Sequence, residues 1–184
     1  MKRQNLIITT AIVALLILWG SCNKQVQKPA VNIANEPLTT VELLATNAAD
    51  PTDTPSAKWI QLDPTGATPP DTSHATLSLR HNASYNVQVK VLDSSTDVSP
   101  TIIERENYHL FCFDISMGLN LTVTRTDHDN NNPQLPIGLS DQFATGAVSI
   151  GSLDVTLRHQ PNVKDGTCPP GSTDIEGYFS VKIQ

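Results

Sequence analysis

The sequence predicts an all-β domain, an antiparallel immunoglobulin-like β-sandwich of about seven or eight strands, with a small β-barrel as the alternative. Two observations lead there. Apolar residues recur at every second position in several separate runs, which is the period of a strand with one buried face. Clusters of Pro, Asp, Asn and Gly punctuate those runs. Helical spacing is never sustained, so neither a helix bundle nor a doubly wound α/β fold is expected.

At the start of the chain, Met1, Lys2 and Arg3 precede an uncharged run of 13 residues from Leu6 to Leu18. This is a cationic n-region followed by an h-region too short to span a bilayer comfortably. Leu18-Trp19-Gly20-Ser21-Cys22 comes next, and small residues directly before a cysteine resemble the lipobox read by the lipoprotein signal peptidase. Trp19 departs from the aliphatic residue usual at its position. The expectation is a signal peptide over residues 1–21 and lipid attachment at Cys22. Residues 22–37 are polar, contain Pro29 and Pro37 and lack periodicity, so they read as a flexible tether ahead of a domain over residues 38–184.

Within that domain the clearest strand is Tyr85, Val87, Val89 and Val91, alternating with Asn86, Gln88 and Lys90. Leu119, Leu121 and Val123, then Leu153, Val155 and Leu157, repeat the pattern with polar residues between them. Shorter runs at Val41-Glu42-Leu43, Leu77-Ser78-Leu79 and Phe179 to Ile183 extend it. Trp59 to Leu62 and His109 to Phe113 read as strands whose facing stays open, because apolar residues occupy both parities. Glu104-Arg105-Glu106-Asn107 is either a short helical turn or a charged edge.

Composition narrows the partners. Of 12 basic and 18 acidic residues, cleavage before Cys22 removes Lys2 and Arg3 and no acid, leaving a net charge of about −8. Such a chain lacks the basic face that nucleic acid or an anionic membrane surface requires. With Cys22 lipidated, Cys112 and Cys168 remain as an even pair in an oxidising compartment, and a disulfide between them is expected. In the chain-entropy model it contributes roughly 4 kcal/mol; two free buried cysteines are the alternative.

The order of several segments is similar to a family of small Bacteroidota outer-membrane lipoproteins often labelled "type 1 periplasmic binding fold superfamily". The matching pieces are Leu38 to Leu43, Leu62-Asp63-Pro64, Asn82 to Tyr85, His109 to Phe113, Gly118 to Thr124, Pro136 to Leu139, Leu157 to Asn162 and Thr173 to Glu176. Together they run through residues 38–184. The resemblance implies an extracytoplasmic β domain anchored in the outer membrane and brings no established activity. The label itself names a fold of two α/β lobes, which a chain patterned at period two does not supply. Pro64 and Thr65 stand where the family has a more acidic, glycine-rich stretch, so no cation site is carried over to that loop.

No catalytic residues are assigned, because the chain has no nucleophile elbow, HExxH motif or phosphate-cradling glycine loop. His109 and His159 lie in matching segments, and a structural role at strand ends accounts for both. Calcium is the one candidate cofactor. In Asp127-His128-Asp129-Asn130-Asn131-Asn132, residues Asp127, Asp129 and Asn131 fall at positions 1, 3 and 5 of a calcium-type loop, with Asn132 at the glycine position. The twelfth position is Gly138 rather than glutamate, so Asp141 or another loop has to supply the missing carboxylate; a solvated hairpin loop is the alternative. The expected function is that of a non-enzymatic binding module or an accessory to an outer-membrane transporter on the periplasmic side. A structural or interaction protein of the envelope is the alternative. A deep apolar pocket would favour the former, a flat exposed patch the latter.

Overall fold

A computed structural model describes residues 38–63 and 65–184. The signal segment, Cys22 and the tether lie outside the described residues. The strands are β1 (Thr40–Asn47), β2 (Ser56–Ile60), β3 (Thr76–Leu79), β4 (Ser84–Asp93) and β5 (Thr96–Asp97), followed by the short helix α1 (Ser99–Glu104) and a 3-10 turn over Glu106–Tyr108. Then come β6 (His109–Ile115), β7 (Leu121–Arg125), β8 (Ser140–Thr145), β9 (Ser149–His159) and β10 (Ser172–Ile183). The helical option for Glu104 to Asn107 is thus realised as two short pieces, which meet at Arg105.

Two sheets form, and neither closes into a barrel. One runs β2-β1-β4-β8-β7 with β5 folded onto β4, and the other runs β3-β10-β9-β6. The order β1-β4-β8-β7 against β10-β9-β6 is the A-B-E-D and G-F-C layout of an immunoglobulin constant-type sandwich. Strands β2, β3 and β5 are additions to it. One pairing departs from the antiparallel expectation: β3 runs parallel to β10, with Thr76 opposite Ser180 and Leu79 opposite Ile183.

The period-two runs become the core. Val41 and Leu43 of β1, Val87, Val89 and Val91 of β4 and Phe143 of β8 belong to the same buried cluster as Leu153, Val155 and Leu157 of β9 and Phe179 and Val181 of β10. Each fully buried side chain of this size contributes about 1.5–3 kcal/mol. The ambiguous strands are also resolved. Ala57 and Trp59 are the buried positions of β2. On β6, Phe111 joins the core, so Cys112 and Leu110 face the other way. They are buried nevertheless. Cys112 is covered because its disulfide to Cys168, with Cα atoms 5.9 Å apart, draws the β9–β10 loop over the outer face of β6.

That bond links positions 56 apart in the chain. Replacing both cysteines by alanine should therefore lower stability by about 3 kcal/mol, somewhat less than the ideal loop-entropy figure because denatured chains keep some compactness. Urea unfolding of the double variant measures the loss. A midpoint unchanged from the parent protein would mean that the loop is held without the bond.

Candidate functional site

Alternation of strand direction brings three connections to one end of the sandwich: the β4–β6 connection, the β7–β8 loop and the β9–β10 loop. In the immunoglobulin layout they correspond to B–C, D–E and F–G, and B–C and F–G belong to the end that carries antibody recognition loops. Here side chains tie the three together. The Lys164 ammonium of the β9–β10 loop lies 2.7 Å from Asp129 Oδ2 in the β7–β8 loop. It also donates to the Glu106 carbonyl in the β4–β6 connection, at 2.8 Å. Asn130 Nδ2 donates to Glu106 Oε1, closing the remaining side.

The β9–β10 loop is fixed along its own length as well. Arg158 Nη2 donates to the carbonyls of Pro169, Pro170 and Gly171, and Gln160 Nε2 donates to those of Thr167 and Pro170. At Gly171, φ is +80° and a Cβ would stand 2.1 Å from the His159 carbonyl oxygen, so only glycine fits. Together with the disulfide, these contacts hold a loop that its sequence alone reads as irregular.

The residues expected to gather around calcium are directed elsewhere. Both Asp127 oxygens accept backbone N–H groups, Oδ1 from Gly138 and Oδ2 from Leu139 and Ser140. Asp129 Oδ1 accepts from the Asn131 and Leu135 N–H groups, while its Oδ2 accepts from the Asn131 amide and meets Lys164. Asn131 thus turns its Nδ2 toward Asp129. Asn132 precedes Pro133 and does not take the left-handed conformation expected of it. Gly138 does have positive φ, and a Cβ there would lie 2.9 Å from Phe111 Cβ. Its place is set by packing. Among the described residues no group of three or more His, Cys, Asp or Glu is arranged to hold a metal ion. Lys164 supplies the cationic partner that the sequence pattern suggested an ion would supply. Burial alone would raise the Asp129 carboxyl, but the Lys164 ammonium and the Leu135 and Asn131 N–H groups together hold it below its ordinary value.

The two histidines stand beneath this loop cluster. His109 and His159 are register partners on β6 and β9, and their rings stack with centroids 5.1 Å apart. His109 Nδ1 lies 3.0 Å from the Arg105 carbonyl, and Nε2 lies 3.6 Å from Asp174 Oδ2. Burial lowers the His159 imidazole, with Asp174 opposing the shift and His109 and Arg105 adding to it. The His109 side chain is 1% exposed. A second buried group lies on β8. Asp141 is buried with neither oxygen hydrogen-bonded. Burial first, and then the Asp127 charge, pushes its carboxyl up to about 8 against the opposing pull of Arg125.

Around the Lys164 clasp an open cleft of about 450 Å³ forms. Asn107 and Tyr108 line it from the β4–β6 connection, Asn131 to Pro133 and Leu135 from the β7–β8 loop, and Asn162 and Lys164 from the β9–β10 loop. This is a polar surface cleft rather than a deep apolar pocket. Its volume falls within the range of about 300–1,000 Å³ usual for small-ligand sites. Apart from Asn131 and Asn132, which the sequence placed in a candidate calcium loop, none of these lining residues was assigned a binding role from the sequence; only the topology gathers the rest. No family model, curated protein or solved structure matches the chain.

Proposed function

We propose that this chain is a lipid-anchored, non-enzymatic binding module of the cell envelope, whose ligand occupies the cleft at the three-loop end of the sandwich. The observation that carries the reading is the clasp. Loops from three separate connections are joined by a buried ion pair, while a disulfide fixes one of them to the sheet. Ordering loops on binding costs free energy, and a cleft fixed before the ligand arrives avoids much of that cost. Rigid scaffolds that present loops at one end are a common setting for recognition.

The compartment follows from chemistry in the same reading. A disulfide suits an oxidising compartment, and Gly20-Ser21-Cys22 supplies the attachment. Asn23-Lys24-Gln25 lacks the acidic cluster associated with surface export, which favours the periplasmic side of the outer membrane. An outer-membrane transporter is then the natural recipient of the ligand, by analogy with other small envelope lipoproteins.

Cys22→Ser should release the protein from membranes or block its processing, because several acyl chains at about 0.8 kcal/mol per buried methylene are the anchor in this reading. Fractionation with a carbonate wash checks this, and protease treatment of intact cells tests the side. A processed variant that stays in the washed membrane pellet would overturn the anchor.

A second reading, an envelope interaction protein without a small ligand, has one feature in its favour. Met117, Val148 and Ile150 are strongly exposed. They lie on segments joined by hydrogen bonds from Ser116 to Ser152 and from Asn120 to Ala147. Self-association or partner binding that is lost in Met117→Ser with Ile150→Ser would support that reading.

A further inference from the structure

The lining of the three-loop cleft specifies a kind of ligand. It contains no carboxylate, and its one cation is already paired: Lys164 Nζ sits between Asp129 Oδ2 at 2.7 Å and the Glu106 carbonyl at 2.8 Å, on a side chain 2% exposed. An anionic ligand would find no available positive charge, and a cationic one no negative charge. Among the described residues the carboxamides of Asn107, Asn132 and Asn162 make no hydrogen bond to the protein, and neither does the Tyr108 hydroxyl. A free carboxamide offers two donors beside an acceptor; the Asn107 oxygen is itself buried, so the exposed Asn132 and Asn162 are the ones that present both kinds of group. A hydroxyl also donates and accepts, so an array of carboxamides matches an array of neutral hydroxyls without any net charge.

Tyr108 adds the other half of the recognition. Its side chain is on the surface, with 41% of the residue exposed, and Pro133 and Leu135 give the cleft further apolar surface. A ligand with hydroxyls on its rim and C–H groups on one face matches amides set around an aromatic ring. Extended peptides, by contrast, commonly bind by adding a strand to a sheet edge, and this cleft is built from loop side chains.

We propose, resting on the reading of the domain as a binding module, that this cleft binds a neutral saccharide, with Asn132 and Asn162 hydrogen-bonding its hydroxyls and Tyr108 stacking on a sugar face. The anchored protein is kept whole for the test, in zwitterionic detergent so that no sugar headgroup competes. It is applied to immobilised neutral hexose and N-acetylhexosamine oligosaccharides, with uronate-containing and sulfated oligosaccharides beside them.

Retention on at least one neutral series is expected, little changed by added salt because no ion pair forms. Tyr108→Ala and Asn132→Ala should each weaken binding about tenfold, the effect of losing one good contact, while Tyr108→Phe keeps the ring and most of the affinity. Neither side chain hydrogen-bonds to another part of the fold, and Tyr108 is partly covered at 41% exposure, so melting curves are recorded beside the affinities and binding is read well below each variant's midpoint. Retention only on acidic sugars, or neutral binding that survives both alanine variants, would overturn the saccharide assignment. If no sugar binds but small amide or aromatic fragments shift the resonances of Asn132 and Asn162, the saccharide fails and the binding module stands. If no sugar or fragment perturbs the cleft, both fail.

Discussion

Asp141→Asn should stabilise the domain by about 4 kcal/mol at pH 7, because ionising a carboxyl whose pKa is raised this far costs about 1.4 kcal/mol for each pH unit between the unfolded pKa and neutrality. Asp141 is 2% exposed, both its oxygens lack partners, and burial followed by the Asp127 charge raises it from 3.8 to about 8. A raised folded pKa fixes the sign. Below about pH 3.8 both states hold the proton, and the group leaves the folding equilibrium unaffected. Between there and pH 8 the unfolded chain releases the proton while the folded chain keeps it, so stability falls as pH rises. Above pH 8 this contribution levels off. Asparagine has nearly the same shape and is neutral in both states, so the variant should lose this slope. Urea unfolding of both proteins from pH 5 to pH 9 gives the comparison. Parallel stability curves would mean that Asp141 is ionised and paired in the fold.

The same residue shows why one strand escapes a reading of the sequence. The inward positions of β8 are Asp141, Phe143 and Thr145, so apolar alternation, which reveals β4 and β9, is broken at two of three places. Thr145 is accommodated by hydrogen bonds from its hydroxyl to the Arg80 and Ala83 carbonyls. Asp141 has no such relief. Where the core is uniformly apolar, as along Val87 to Val91, period two was sufficient. The pairing of Cys112 with Cys168 was legible from compartment and parity of number, although its role in covering the back of β6 was not.

The loop cluster was legible only in pieces. Local spacing in Asp127-His128-Asp129 suggested oxygen ligands around a cation, and a cation is indeed beside Asp129. It is the ammonium of Lys164, placed there by the β9–β10 connection rather than by any local pattern. Sequence spacing within one loop carries no information about a partner delivered by another strand pair. The cleft shares this property, since Tyr108, Asn132 and Asn162 come from three connections and meet only because alternating strand directions return those connections to one end.

Lys164→Met is expected to destabilise the domain by roughly 3–5 kcal/mol, the usual loss when one member of a buried ion pair is removed and the other charge stays behind. The Lys164 and Asp129 side chains are 2% and 0% exposed, and their charged atoms are 2.7 Å apart. Methionine retains much of the aliphatic stem, so the loss reports chiefly on the charge. Asp129 would keep the N–H groups of Asn131 and Leu135, which places the expected value toward the lower part of that range. The Glu106 carbonyl would lose its donor as well. Adding Asp129→Asn to Lys164→Met removes the stranded charge and should recover most of the loss, so the double variant is more stable than Lys164→Met alone. The acid side gives an independent check. Asp129 is held below its ordinary value in the fold, so its contribution is complete above the unfolded carboxylate pKa and disappears as pH falls through the folded one. Without Lys164 that acid-side decline should shrink. On the proposed binding reading, ligand affinity should fall too, because the three loops would no longer be held in one arrangement before binding. Urea midpoints for the two single variants and the double variant, at neutral and acid pH, measure the coupling. A Lys164→Met loss below about 1 kcal/mol, the value of a solvated surface pair, would show that the clasp does not hold the loops.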